Sequence, residues 1–398
     1  MVIARTVKDV FIIAAKRTAF GTFGGKLKMK TPTDLAEAAA KAALASANVT
    51  PEMINSVIIG NVIQSAADSI YIARHVGLRI GVPIPVPSYT VNRLCGSGFQ
   101  AIVNASQEIM LGDSDIVLCG GADNMSMTPY SVRNARFGTT LGIDLKMEDT
   151  LMAGLTDLHV KLPMAITAEN LAVKYGLSRE EVDEFALRSQ TRWRAAQDGG
   201  HFKAEIAPLT VKGKKGAETF EVDEHPRPTT KESLAKLPPV FKKNGVVTAG
   251  NASGICDGAS CLILASENAV KKHNLTPLAR VVSYGIAGCD PTIMGIGPAP
   301  AARAALKVAG KNMHDMDLIE VNEAFGAQYL AVEKELELDP ARTNPNGGAI
   351  ALGHPLAASG ARITGHLVHE IKRTGGKLAL GSACIGGGQG IAVITENL

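Results

Sequence analysis

The chain has 398 residues, of which 46% are apolar and 4% aromatic, and its 41 Lys and Arg against 38 Asp and Glu leave a net charge of +3. That length exceeds what one ordinary core serves, the apolar share excludes a disordered chain, and the small charge gives no basis for nucleic-acid binding. The 41 glycines and the abundant alanine, with so few aromatics, favour closely packed α/β layers over an aromatic-rich β-sandwich.

Taken in chain order, Met1–Lys8 has no apolar core and does not read as a secretory signal; it carries Arg5 and Lys8 ahead of the first acid, Asp9, too little for a transit peptide. Val10–Ala15 is a short apolar strand. Thr33–Ala45 sets Leu35, Ala38, Ala39 and Ala42 at helical spacing behind Asp34 and Glu37. Val57–Ile59 predicts a strand, Gly98–Leu111 a helix and Ile116–Leu118 a strand. Ser178-Arg179-Glu180-Glu181 predicts a capping box opening a helix through Val182, Phe185, Ala186 and Ser189. Val211–Lys243 is polar, with 8 Lys and Arg against 5 Asp and Glu. It reads as a solvated loop region or, alternatively, as a surface receiving an anionic ligand. Leu318–Val321, Leu378–Leu380 and Ala392–Ile394 are further apolar strands, and the terminal Glu396-Asn397-Leu398 is not a peroxisomal signal. No apolar run is long enough to span a membrane.

The chain repeats itself. Ser97-Gly98 opens a segment ending Glu108-Ile109, and Ser359-Gly360 opens one ending Glu370-Ile371, at an offset of 262. Ile116–Leu118 falls opposite Leu378–Leu380 at the same offset, and Asn61 opposite Asn322 at 261. Between Glu267-Asn268 and Glu396-Asn397 the offset drops to 129, so the first copy carries an insertion of 133 residues between about Gly121 and Gly258. Strands alternating with helices imply a mostly parallel sheet covered on both faces, in two copies stacked about a pseudo-twofold axis.

Three strings carry chemistry. Cys95 lies in Asn92-Arg93-Leu94-Cys95-Gly96-Ser97-Gly98, ahead of a helix whose N-terminus should lower the thiol pKa. His354, in Gly353-His354-Pro355, sits in a rigid loop suited to a general base. The duplication makes this loop the counterpart of the Cys95 loop, so the axis would bring the two face to face. Cys384 precedes Gly386-Gly387-Gly388-Gln389-Gly390, whose N–H groups could point at an oxyanion. Each string has a structural alternative: a buried cysteine in a tight turn, a histidine held by backbone, a glycine turn between strands. Asn322, after an apolar strand, could hold a water or cap the next helix. Cys119, Cys256, Cys261 and Cys289 read as packing residues; with no CxxC pair, neither zinc nor a disulfide scaffold is expected, and the thiols read as reduced and intracellular.

Together, Asn92–Gly98, Thr248–Gly254, Asn322-Glu323-Ala324-Phe325, Gly353-His354-Pro355 and Cys384–Gly390 resemble the thiolase family over nearly the whole chain. Arg74–Arg79, Leu162–Ala165 and Met294–Pro298 resemble its mitochondrial, degradative branch, and Pro163 stands where biosynthetic members usually carry His. The resemblance implies an α/β fold of duplicated βαβαβαββ halves in five layers, α-β-α-β-α, with an inserted loop domain. The expected boundaries are an N-terminal half at 1–124, the insertion at 125–249, completion of the N-terminal half at 250–278 and a C-terminal half at 279–398. It implies thiolytic cleavage of 3-ketoacyl-CoA by coenzyme A as co-substrate, with no bound cofactor or metal.

In that reading Cys95 is acylated, His354 activates it, Asn322 holds a water and Cys384 moves the proton. The N–H groups of Cys95 and Gly386 form an oxyanion hole. Arg227, Thr230 and Ser253 contact coenzyme A, and Met164, Phe325 and Met294 line the substrate site. A homodimer or homotetramer in the mitochondrial matrix is implied, with the cytoplasm as alternative. The chain departs from the family in Ala357, where Gly is common and a methyl could narrow the site or shift the loop, and in Asp123, where Glu is usual. The alternatives are an acetoacetyl-CoA thiolase, a cysteine hydrolase using only Cys95 and His354, and a catalytically idle coenzyme A-binding protein.

Overall fold

The computed structural model describes residues 9–213 and 216–398; Met1–Lys8 and residues 214–215 of the basic stretch lie outside the described residues. The first half begins with β1 (Val10–Thr18), α1 (Pro32–Ala47), β2 (Ser56–Gly60), α2 (Ile72–Arg79), β3 (Ser88–Val91), α3 (Ser97–Leu111) and β4 (Ile116–Asn124). The insertion contains α4 (Met164–Tyr175) and α5 (Arg179–Asp198), and β5 (Cys256–Ser266) returns the chain to the first half. The second half is β6 (Ala279–Gly288), α6 (Pro298–Ala309), β7 (Leu318–Val321), α7 (Gly326–Leu336), α8 (Leu356–Thr374), β8 (Leu378–Ile385) and β9 (Gln389–Asn397).

Local chemistry sets the element ends. Thr31 and Asp34 form a reciprocal capping box at α1, and Asn48 ends that helix in the left-handed region. Ser178 and Glu181 form the capping box expected at α5. The basic stretch, expected to be loop, holds a hairpin of Leu209–Gly213 with Gly216–Phe220 and a short helix, Lys231–Ala235. Val211 and Phe220 supply its reason, since both are buried against the core of the first half.

Nine strands follow one hydrogen-bonded path, β7-β8-β9-β6-β1-β5-β4-β2-β3, and two short strands flank it. The two halves meet at a narrow seam, where β1 and β6 share three residue pairs, Val10↔Val281 to Ile12↔Ala279. The expected mostly parallel sheet is corrected to a mixed one: β2, β3 and β4 are parallel, as are β7 and β8, while β5, β9, β1 and β6 run antiparallel to their neighbours. The antiparallel partners arise because the Gly386–Gly388 turn joins β8 to β9 directly and the insertion lets β5 return against β4.

Register refines the duplication. Leu118 pairs with Ile263, and Leu380 with Ile394. The first members are 262 apart and the second 131, so the insertion is 131 residues and not 133. A β-bulge between Ile12 and Ala14 recurs between Val281 and Ser283, so the duplication kept even this irregularity.

Three cores separate five layers. α1 and α2 cover the outer face of the first half-sheet, α6 and α7 that of the second, and α3 and α8 lie between the two. The central helices approach too closely for side chains at Gly98 and Gly360, which are duplicates of each other. A Cβ at Gly98 would lie 2.5 Å from the Ala357 carbonyl, and one at Gly360 would lie 2.3 Å from the Phe99 nitrogen.

Gly360→Ala should therefore destabilise the protein by about 1–3 kcal/mol through overpacking, measured as a lower denaturant midpoint. Gly154→Ala, where a Cβ would meet nothing within 4 Å, serves as control; an equal loss in both would contradict this reading of the helix contact.

Candidate active site

Cys95 ends a strained turn. Leu94 before it has φ +46°, a left-handed conformation that is costly for leucine. The turn is held by Asn92 Oδ1, which accepts the Leu94 N–H at 2.9 Å, and by Ser97. Ser97 Oγ accepts the Arg93 N–H at 2.9 Å and donates to the Leu94 carbonyl at 2.7 Å. Around the thiol lie Val62, Ile63, Met125, Leu151, Leu155, Ile255 and Leu356. Burial against this apolar wall pushes the thiol up to about 11, opposed in part by the nearby backbone N–H groups of Gly386 and of Cys95 itself. The expected lowering by the α3 N-terminus is thus overturned: burial outweighs the helix dipole.

His354 is buried. Its backbone N–H bonds the Gly254 carbonyl at 3.0 Å, and Gly353 before it adopts φ +100°, where Cys256 Sγ would stand 2.0 Å from any Cβ. Its ring makes two contacts: Nδ1 lies 2.5 Å from Ser359 Oγ, and Nε2 lies 3.3 Å from Asn322 Nδ2. Burial first, and the cation of Arg362 second, lower its pKa to about 3, so the imidazole is neutral. Asn322 does not cap α7, because Gln328 Oε1 accepts the Ala324 and Phe325 N–H groups there. Its Oδ1 is buried and takes no bond from the protein, an acceptor left for a water or substrate.

Cys384 is fully buried among Met294, Ala324, Met164 and Phe325. Burial raises its thiol well above the ordinary cysteine range, and the nearby Cys95 and Cys289 would raise it further when ionised. At Gly386 a Cβ would lie 3.1 Å from Leu94 and 3.4 Å from Met164 Sδ. Eight of the expected residues therefore converge, Cys95, His354, Cys384, Asn322, Gly386, Met164, Phe325 and Met294, drawn from six separate stretches of chain.

The other three differ. Ser253 adjoins the cluster through its N–H on the Ala324 carbonyl at 3.0 Å. Arg227 and Thr230 line a separate groove of about 260 Å³ with Gln190, Trp193 and Arg194. Arg227 is exposed there, whereas the Thr230 hydroxyl is already engaged, capping the Lys231–Ala235 helix through the Ser233 N–H.

The chain matches two family descriptions in order, "Thiolase, N-terminal domain" over residues 10–268 and "Thiolase, C-terminal domain" over residues 275–397. The chain belongs to the thiolase family. Among its relatives, the mitochondrial 3-ketoacyl-CoA thiolase of Bos taurus is 66% identical over 392 residues, covering 98% of this chain and 99% of the relative. The crystal structure of human mitochondrial 3-ketoacyl-CoA thiolase superposes with a TM-score of 0.98 at 65% identity, over 98% of this chain and all of that one. The human enzyme's structure in complex with CoA gives 0.97 at 64% identity, over 98% of each chain.

Two departures of this thiolase chain from the family pattern turn out to touch. The Ala357 N–H donates to Asp123 Oδ2 at 2.6 Å, while Asp123 Oδ1 accepts the N–H groups of Val62 and Ile63 and the Asn61 amide. One carboxylate thus ties the start of α8 to the wall beside Cys95, and burial lifts it to about 7. The methyl of Ala357 is fully buried at the start of α8. Ser359 and the apolar wall were not singled out for the site in the sequence, and Asp123 was marked only as a departure from the family; Ser359 carried a signal as the duplicate of Ser97.

A thiol at about 11 predicts that iodoacetamide modifies Cys95 of the free protein slowly at neutral pH. The rate should rise about tenfold per pH unit, with no plateau below pH 9 when followed by peptide mass spectrometry. A plateau near pH 7 would mean that the helix N-terminus wins after all.

Proposed function

We propose that the protein cleaves 3-ketoacyl-CoA with coenzyme A, releasing acetyl-CoA and a shortened acyl-CoA. The observation that carries this is the pairing of two thiols at one site, Cys95 partly buried and Cys384 fully buried, beside the Gly386 turn. A cysteine hydrolase needs one thiol and would leave the second without use. The two-thirds identity to 3-ketoacyl-CoA thiolases across the whole chain favours the same activity over acetoacetyl-CoA formation.

The chemistry follows from the protonation states. His354 Nε2 takes the Cys95 proton as the sulfur attacks the 3-keto carbon; with a thiol this weak, transfer and attack proceed together. The Cα–Cβ bond then breaks, its electron pair leaves as the enolate of acetyl-CoA, and Cys384, held neutral by burial, protonates the carbon. Coenzyme A gives its thiol proton to the Cys384 thiolate and attacks the acyl-Cys95 thioester. Cys95 leaves as thiolate and recovers its proton from His354. The N–H pair of Cys95 and Gly386 stabilises one oxyanion, and Asn322 Oδ1 holds a water for the other. Exchange between thioesters stays reversible, which a serine ester would not allow.

The inserted segment 125–249 supplies the coenzyme A face, with Arg227 in its exposed groove, and Ser253 adjoins it just beyond the insertion, beside Ala324. Thr230 serves that face through its cap. The names of the relatives place such enzymes in mitochondria, and we infer the same compartment, with assembly as a homodimer or homotetramer. No helix among the described residues is long and apolar enough to cross a membrane.

Cys95→Ser should lower thiolysis roughly 1,000-fold or more and remove the acyl-enzyme seen by intact mass; full activity in that variant would end the proposal. Arg227→Ala should raise KM for coenzyme A with kcat little changed. Rates across 3-ketoacyl-CoA chain lengths separate degradative activity from a preference for acetoacetyl-CoA.

A further inference from the structure

We propose that Ser359 is a positioning residue for His354: its hydroxyl accepts the Nδ1–H and so holds the ring in the tautomer whose Nε2 lone pair is turned to Asn322. Both groups are buried, Ser359 fully and His354 at 5% exposure. Two proton arrangements fit the heavy atoms. In the first, Ser359 donates its single hydrogen to the Pro355 carbonyl at 2.8 Å and receives Nδ1–H at 2.5 Å. Nε2 then faces the Asn322 amide at a long 3.3 Å, a contact it gives up when it takes the Cys95 proton. In the second, Ser359 donates to Nδ1 and Nε2 carries the proton. That leaves the Ser359 and Pro355 oxygens 2.8 Å apart with no hydroxyl hydrogen between them, lone pair against lone pair. The first arrangement fills both short contacts, so it is the stable one.

The duplicated half shows what this hydroxyl is built for. Ser97, its duplicate, opens α3 where Ser359 is the fourth residue of α8, and it too grips the loop ahead, donating to a carbonyl three residues back and accepting an N–H four residues back. Each central helix thus begins by gripping the loop ahead of it. In the first copy the acceptor side holds backbone, which fixes the Cys95 turn. In the second it holds an imidazole: α8 begins three residues ahead of its serine, and the loop before it presents the His354 ring, not an amide, to the hydroxyl. Removing the hydroxyl leaves a buried Nδ1 without its partner, and the ring can then protonate at Nε2 instead, where it cannot accept the Cys95 proton.

The kinetic consequence rests on His354 being the base of the proposed reaction, but the tautomer does not. Nitrogen-15 NMR of histidine-labelled, unsubstituted protein, assigned with His354→Asn, should show His354 with a protonated Nδ1 and a bare Nε2. A protonated Nε2 would overturn the proposal whatever the activity. Ser359→Ala and Ser359→Cys should each lower kcat roughly 10- to 100-fold with KM near its original value. Ser359→Thr, which restores the acceptor, should recover most of the loss. Cysteine keeps the volume but accepts hydrogen bonds poorly. Full activity in Ser359→Cys, together with loss in Ser359→Ala, would show that Ser359 serves packing alone and would also sink the idea.

Discussion

The structure turns on one close contact, where α3 and α8 cross with glycine against backbone. Gly98 and Gly360 are the same residue in two copies, and each sits where the other helix leaves no room for a side chain. Bringing two helix N-termini this near has two consequences. The loops ahead of them, carrying Cys95 and His354, are forced into one place. The flanking half-sheets are held at the spacing of a single helical layer, so a seam of only three residue pairs suffices to join them.

The insertion is fastened to both halves by charge buried away from water. Arg17 of β1 pairs with Glu205 at 2.7 Å and Asp223 at 2.7 Å, and His366 of α8 meets Glu205 Oε2 at 2.8 Å. Trp193 Nε1 adds a bond to Asp223 at 3.3 Å. Glu205 is held far below the ordinary carboxylate range: burial opposes ionisation, and His366 and Arg17 more than offset it. Buried ion clusters are weak sources of net stability but intolerant of a missing partner. Their effect here is geometric, since one side chain of each half and two of the insertion must all be in register for any of them to be satisfied. Glu323 works alike beside Asn322, accepting from Ser189 of α5 and from Asn344.

Much of this was legible in the sequence. Apolar runs gave the strands, the offset of 262 gave the duplication, and glycine flanks marked Cys95, His354 and Cys384. What failed did so for physical reasons. The second offset was misjudged by two because Glu267-Asn268 and Glu396-Asn397 look alike, whereas register is set by the pairing of β5 with β4 and of β9 with β8. The sheet was read as mostly parallel because alternation of strand and helix does not reveal a strand that returns after a long insertion. The Cys95 thiol was read as acidic because the helix N-terminus is a local feature. The wall that outweighs it, Val62, Ile63, Met125, Leu151 and Leu356, is assembled from distant segments.

The elevated thiols have a bearing on survival among oxidants. Peroxide attacks the thiolate, and susceptibility follows thiolate character and access. With Cys384 sealed in an apolar cluster and Cys95 held protonated, the resting protein offers oxidants almost no thiolate. Nucleophilicity is then conferred by the bound substrate and not stored beforehand. Such a site gives up some intrinsic speed of attack and in return can wait, unoccupied, beside reactive oxygen without losing its sulfur to sulfenic acid.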